Sequence, residues 1–99
     1  MPIITQKTLR LAWEQYPDAE KPLRKWYTEM KHRHFQSFAE LRQYFPAADQ
    51  VGRLTVFNIR GNHYRLVAHV DYAYSKIFVR RFMTHADYDK EEWENDPWY

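Results

Sequence analysis

No cysteine occurs anywhere in the sequence, so neither a disulfide framework nor thiolate chemistry is available to it. No apolar run approaches the roughly 20 residues needed to cross a bilayer. The start, Met-Pro-Ile-Ile-Thr-Gln-Lys, turns polar before the apolar stretch of a secretion signal could form. A cytoplasmic protein without membrane association is therefore expected. Glycine-rich phosphate loops, a nucleophile elbow and metalloprotease motifs are also missing. His32 and His34 have no carboxylate or cysteine at ligand spacing, so neither a metal nor another cofactor is expected.

What the chain does have is aromatic side chains, 18% of its 99 residues, beside 44% hydrophobic and 28% charged residues overall. Buried rings remove large apolar areas from water, so a small core can hold a chain of this length together. A single domain over residues 1–99 is expected. Its charge is unevenly placed: residues 1–85 carry 14 Lys/Arg against 7 Asp/Glu, residues 86–99 one against six. A basic body suits an anionic partner, since cations that neutralise phosphates release condensed counterions; a generally solvated surface explains the total charge equally well.

Leu9, Ala12, Trp13 and Tyr16 recur at helical spacing, with Thr5 placed to cap the start and Pro17 to stop the run. Asp18 is placed to cap a second helix whose apolar stripe is Leu23, Trp26, Tyr27 and Met30. Pro22 falls in its first turn, where a missing N–H costs little. Ser37-Phe38-Ala39-Glu40 is a capping box opening a short helix that ends before Pro46. From Leu54 the pattern changes: Leu54–Ile59, His63–Tyr72 and Lys76–Met83 are rich in Val, Ile, Phe and Tyr and read as strands. Arg60-Gly61-Asn62 and Ala73–Ser75 supply the turns between them. Helices first and sheet after predict an α+β domain: a small antiparallel sheet of three to four strands, Ile3-Ile4 on its edge, two N-terminal helices over one face, and a short C-terminal helix.

Alternation places Tyr64, Leu66, Ala68, Val70 and Tyr72 on one face of the middle strand, towards the helices. Arg65, Val67, His69 and Asp71 fall on the other face, expected to be open and basic. Asn58 should pair across the hairpin near Arg65. Thr84 and Asp87 form a capping signature, so a last helix should begin near His85 and bring His85 and Tyr88 to one side. Arg80 and Arg81 are adjacent, so alternation sends them to opposite faces. Arg65, His85 and Tyr88 with one of these arginines suit RNA self-cleavage, in which histidine and tyrosine move protons and arginine stabilises the phosphorane without a metal. A lone strand histidine such as His69 is more often structural or solvated. Beyond Lys90 the acidic segment 91–99 reads as loosely ordered, either a solvated extension or a weak competitor for RNA anchored by Trp93 and Trp98.

Val56-Phe57-Asn58-Ile59-Arg60-Gly61-Asn62-His63-Tyr64-Arg65-Leu66-Val67-Ala68 resembles the strand–turn–strand motif of the HigB toxin family, within the RelE/ParE superfamily. Phe82-Met83-Thr84-His85-Ala86-Asp87-Tyr88-Asp89-Lys90 is similar to that family's C-terminal signature, with Asp87 where Glu is common, and Phe45-Pro46-Ala47-Ala48-Asp49 is similar to a further shared segment. The resemblance runs from Ile4 to Lys90; the acidic, aromatic ending departs from it. It implies a RelE-like fold and translation-dependent mRNA cleavage on the ribosome. It also implies restraint by a helix-turn-helix HigA antitoxin, with operator DNA reached only through that antitoxin. The catalytic set expected is Arg65, His85, Tyr88 and Arg80, with Asn58, Asn62, His69, Arg81 and Lys90 contacting RNA. Two other readings share the fold, a non-catalytic binding module and a ParE-like gyrase poison, and the fold does not separate them.

Overall fold

The structure is a computed structural model describing residues 1–4 and 6–99; the capping role expected of Thr5 lies outside the described residues. Strand β1 (Ile3–Ile4) leads into helix α1 (Gln6–Gln15), which buries Leu9 and Ala12 and packs the half-buried Trp13 against the core. Pro17 ends the run, as expected, through a 3₁₀ turn at Pro17–Ala19. Helix α2 (Glu20–His32) then buries Leu23, Trp26 and Met30. Asp18 does not cap it. Ala19 occupies the N-cap position without a side-chain bond, and the Asp18 carboxylate is engaged elsewhere. It accepts from the Tyr64 hydroxyl at 2.7 Å and pairs with Arg60 at 3.4 Å, tying the helices to the sheet. Helix α3 (Phe38–Tyr44) opens on Ser37, whose oxygen accepts from the Glu40 N–H at 3.2 Å, the serine half of the capping box.

Four further strands complete the sheet: β2 (Asp49–Val51), β3 (Leu54–Ile59), β4 (Tyr64–Asp71) and β5 (Lys76–Thr84). The sheet order is β1-β5-β4-β3-β2. The α+β class stands, and the sheet has five strands rather than three or four. The short β2, whose polar Asp49 and Gln50 gave no apolar pattern, pairs antiparallel with β3. β1 joins β5 in parallel, making the sheet mixed. The turn into β4 uses Arg60 and Gly61 at φ 52 and 59, the left-handed conformation that glycine tolerates best.

The two faces of the sheet carry separate cores. Leu66, Ala68 and Val70 pack beneath the helices with Leu9, Leu23, Trp26 and Met30, as alternation predicts. The opposite face is not open. Leu54, Val56 and Val67 form a second cluster there, closed by Trp93, which is 4% exposed. The chain reaches this face through helix α4 (His85–Asp89), a left-handed Glu91 at φ 61 and a 3₁₀ turn at Glu92–Asn95. Segment 91–99 is therefore packed on the sheet rather than loose: an indole buries too much apolar area to stay in water when such a face is adjacent.

Candidate functional site

Arg65 and Asn58 are register partners across the β3–β4 hairpin, and Arg65 also pairs with Met83 of β5. This register sets Arg65 on the second face, beside the junction where β5 becomes α4. Thr84 caps that helix, its hydroxyl accepting from the Asp87 N–H at 3.1 Å. The cap turns His85 back towards the hairpin, where its N–H donates to the His63 carbonyl at 3.0 Å. The result brings together three of the four residues expected to be catalytic. Arg65 Nη2 lies 3.0 Å from His85 Nδ1, and the Arg65 guanidinium carbon lies 5.5 Å from the centre of the Tyr88 ring.

Arg65 is only 8% exposed, and its burial is satisfied by specific acceptors. It donates to the Asn62 side-chain oxygen, to the Asn62 carbonyl at 3.3 Å and to the Tyr64 carbonyl at 3.1 Å. Asn62 is thus the residue that aims the guanidinium. Asn58, though opposite Arg65 in register, is exposed and takes no part in this network among the described hydrogen bonds. The other ring nitrogen of His85, Nε2, lies 3.0 Å from the Asp89 carboxylate. Sequence reasoning passed over Asp89, although the four-residue spacing from His85 to Asp89 on a helix was the available signal. Nδ1 lies between the Arg65 guanidinium at 3.0 Å and the Asn62 carbonyl at 3.2 Å; the neutral tautomer with Nε2–H donating to Asp89 is the one that leaves Nδ1 to accept from Arg65.

Tyr88 stacks on Trp93, with ring centres 5.1 Å apart and planes 14° from parallel. Burial, chiefly, and the negative charge of Asp49 push its hydroxyl above the ordinary tyrosine range, while Arg65 pulls the other way. The phenol therefore keeps its proton at neutral pH and has an O–H to donate. An open depression of about 460 Å³, lined by Asn62, His63, Thr84, His85 and Ala86, lies alongside the cluster.

Arg80 and Arg81 are not part of this grouping. They were expected on opposite faces, and both reach the same carboxylate. Val67 pairs with Arg81 while Ala68 pairs with Val79, so Arg80 is an extra residue: a β-bulge that lets two successive side chains leave one face. Arg80 donates to Asp96 from Nε at 3.3 Å and Nη2 at 3.1 Å, and Arg81 donates from Nε at 2.9 Å. Asp96 could not be matched to them from sequence, because the bulge leaves no mark in it. Burial alone would raise the Asp96 carboxyl, but the Trp98 N–H and the two guanidinium groups outweigh it and hold it below the usual carboxylate range. His69 also turns to this segment, 2.9 Å from the Arg53 carbonyl and edge-on to Trp98. Lys90 pairs with Asp87 at 3.5 Å on the surface. Among the described residues, no group of three His, Cys, Asp or Glu side chains is arranged to hold a metal ion, and no helix is long and apolar enough to cross a membrane.

A family model described as HigB_toxin, the RelE-like toxic component of a toxin–antitoxin system, matches residues 19–91. The chain belongs to the HigB toxin family. It is 36% identical over 92 residues to the mRNA interferase toxin HigB of Escherichia coli K12, covering 90% of this chain and 88% of that protein. An mRNA interferase HigB of Shigella flexneri matches to the same extent. Another, from Escherichia coli O6:H1, is 28% identical over 91% of this chain and 90% of its own length. The HigB family assignment implies an antitoxin counterpart. The family match takes in Arg65, His85, Tyr88 and Asp89 and stops at Glu91, short of Trp93 and Asp96.

Proposed function

We propose that the chain is an mRNA interferase: a cytoplasmic endoribonuclease that cuts messenger RNA on the translating ribosome and is restrained by a HigA-type helix-turn-helix antitoxin. One observation carries the reading. Arg65, His85 and Tyr88 converge at the junction of β4, β5 and α4, in a family whose relatives bear that name. In this reading residues 1–99 work as one domain, and operator DNA is reached only through the antitoxin.

The chemistry is attack of a ribose 2′-oxygen on the adjacent phosphorus. The 2′-hydroxyl loses its proton, the P–O5′ bond breaks, and a 2′,3′-cyclic phosphate and a 5′-hydroxyl result. An arriving phosphate draws Arg65 Nη2 onto itself, which frees His85 Nδ1 to accept the 2′ proton. Asp89, on the far nitrogen, steadies the imidazolium that forms. Arg65 stays charged throughout and stabilises the phosphorane. The protonated Tyr88 hydroxyl suits donation towards the leaving 5′-oxygen. Asn58, Asn62 and Lys90 are further RNA contacts in this reading.

Primer extension on transcripts after induction tests the reading. In-frame cuts within translated messages, leaving 5′-hydroxyl ends, are expected. DNA damage with intact messages would replace this reading with that of a gyrase poison.

A further inference from the structure

We infer that Arg80 and Arg81 form a subsite for a backbone phosphate of RNA, and that the chain's own Asp96 occupies this subsite until RNA displaces it. The inference rests on the RNA-cutting reading of the neighbouring cluster and assigns a role to the segment beyond the family match. The bulge is the first ground. It breaks the β4–β5 ladder at one point, and what it achieves is two guanidinium groups side by side on one face.

The second ground is what they hold. Three N–H donors from two arginines converge on one carboxylate, the arrangement that also receives a phosphate oxyanion, since both anions present paired acceptor oxygens to an arginine fork. The Asp96 side chain is 1% exposed, whereas those of Arg80 and Arg81 are 29% and 45% exposed. The arginines are thus accessible from solvent while their present occupant is not. A ligand can engage them from outside before the carboxylate leaves.

The third ground is how the segment is held. Trp93 is anchored in the second core and donates its indole N–H to the Tyr88 carbonyl at 3.0 Å. Residues 96–99 have a different kind of grip. Asp96 rests on the arginines and Trp98 lies 4.6 Å from Arg80, while Arg53 donates to the Pro97 carbonyl at 2.8 Å and the Tyr99 carbonyl at 3.3 Å. Trp98 also packs on Phe78 and His69, with ring centres 5.1 and 5.3 Å away, and Tyr99 on Trp93 at 5.9 Å; the polar contacts beside this packing are ones an anion can exchange for its own. Asp96 itself has an extended backbone (φ −62, ψ 133) and marks the boundary between the two grips. Arg81 pairs with Val67, two residues along β4 from Arg65. That is about 7 Å along the strand, close enough for neighbouring phosphates of one RNA strand to sit on Arg65 and on Arg81.

The test uses the full chain and a short fluorescent oligouridylate at low salt. Asp96→Asn is compared with wild type and with Glu92→Gln, which removes the same charge from an exposed position in the same segment. A subsite closed about nine-tenths of the time weakens RNA binding about tenfold, so Asp96→Asn is expected to tighten binding by about that factor and Glu92→Gln by much less. Adding Arg80→Gln and Arg81→Gln to Asp96→Asn should abolish the gain. In wild type, saturating RNA should move the Trp98 indole N–H resonance towards that of a solvent-exposed indole. This readout needs no variant to fold. Equal gains from Asp96→Asn and Glu92→Gln, or an unmoved Trp98 resonance at saturation, would overturn the inference while leaving the nuclease reading intact. Failure of wild type and every variant to bind RNA or cut messages would overturn both.

Discussion

Arg65 carries two duties in one side chain, and they make different demands. Its contacts to the Asn62 and Tyr64 carbonyls hold the hairpin turn, and its Nη2 faces the imidazole of His85. Arg65→Lys keeps the charge and loses the planar fork, so single-turnover cleavage on ribosomes should fall on the order of 100-fold or more, with the chain still folded by circular dichroism. A fully active Arg65→Lys protein would reduce the residue to a charge. Tyr88→Phe should slow cleavage without weakening ribosome binding. Because the Tyr88 hydroxyl lies above its ordinary value, its contribution should persist through neutral pH and fail only above pH about 10. A wild-type alkaline loss well below that, absent in Tyr88→Phe, would contradict this assignment. Arg65 and His85 were legible in the sequence because strand alternation and a helix cap are local rules. The four-residue spacing from His85 to Asp89 is a local rule too, whereas nothing local pairs Arg80 with Asp96.

At the scale of elements, period located β3, β4, β5, α1 and α2, and capping located α3 and α4. They did not locate β2 or the direction of β1, whose partners are set by pairing rather than by their own pattern. The bulge at Arg80 is a further case: alternation assumes an unbroken ladder, and one inserted residue reverses the facing of every later position in the strand. For segment 91–99 acidity suggested a solvated extension, and the two tryptophans an anchored one; the anchoring is what the structure has, because Trp93 closes a second hydrophobic cluster. Trp93→Ala should therefore destabilise the chain by about 3 kcal/mol or more, read as a fall in the urea midpoint. A midpoint within experimental error of wild type would return the segment to solvent. The Asp96 contact gives a signed pH effect. Its carboxyl is depressed in the folded chain, so its stabilisation is fully present above the ordinary aspartate value of about 3.9 and is lost as pH falls through the lower folded value. Tryptophan fluorescence should report an acid transition of segment 96–99 in wild type that Asp96→Asn lacks. The same transition in both would remove Asp96 from that balance.

The whole molecule opposes a basic body to an acidic end, and the structure brings the two into contact on one face. RNA affinity should accordingly fall steeply with salt. If Arg80 and Arg81 together take up one RNA phosphate, the chain carrying Arg80→Gln and Arg81→Gln should show a logarithmic salt slope shallower by about 0.7 than wild type, and identical slopes would deny the contact. The pairing of β1 with β5 has a consequence in time as well as in space. Ile3 and Ile4 are made more than 70 residues before their register partners, Ile77 and Phe78. So distant a pairing closes a loop most of the chain long, the kind of contact that forms late and slowly. His85, Tyr88 and Asp89 are made later still. A chain synthesised only through β4 thus has neither β1 nor β5 paired at that edge and lacks the cluster of Arg65, His85 and Tyr88, so the activity proposed for that cluster cannot arise before β5 and α4 are made.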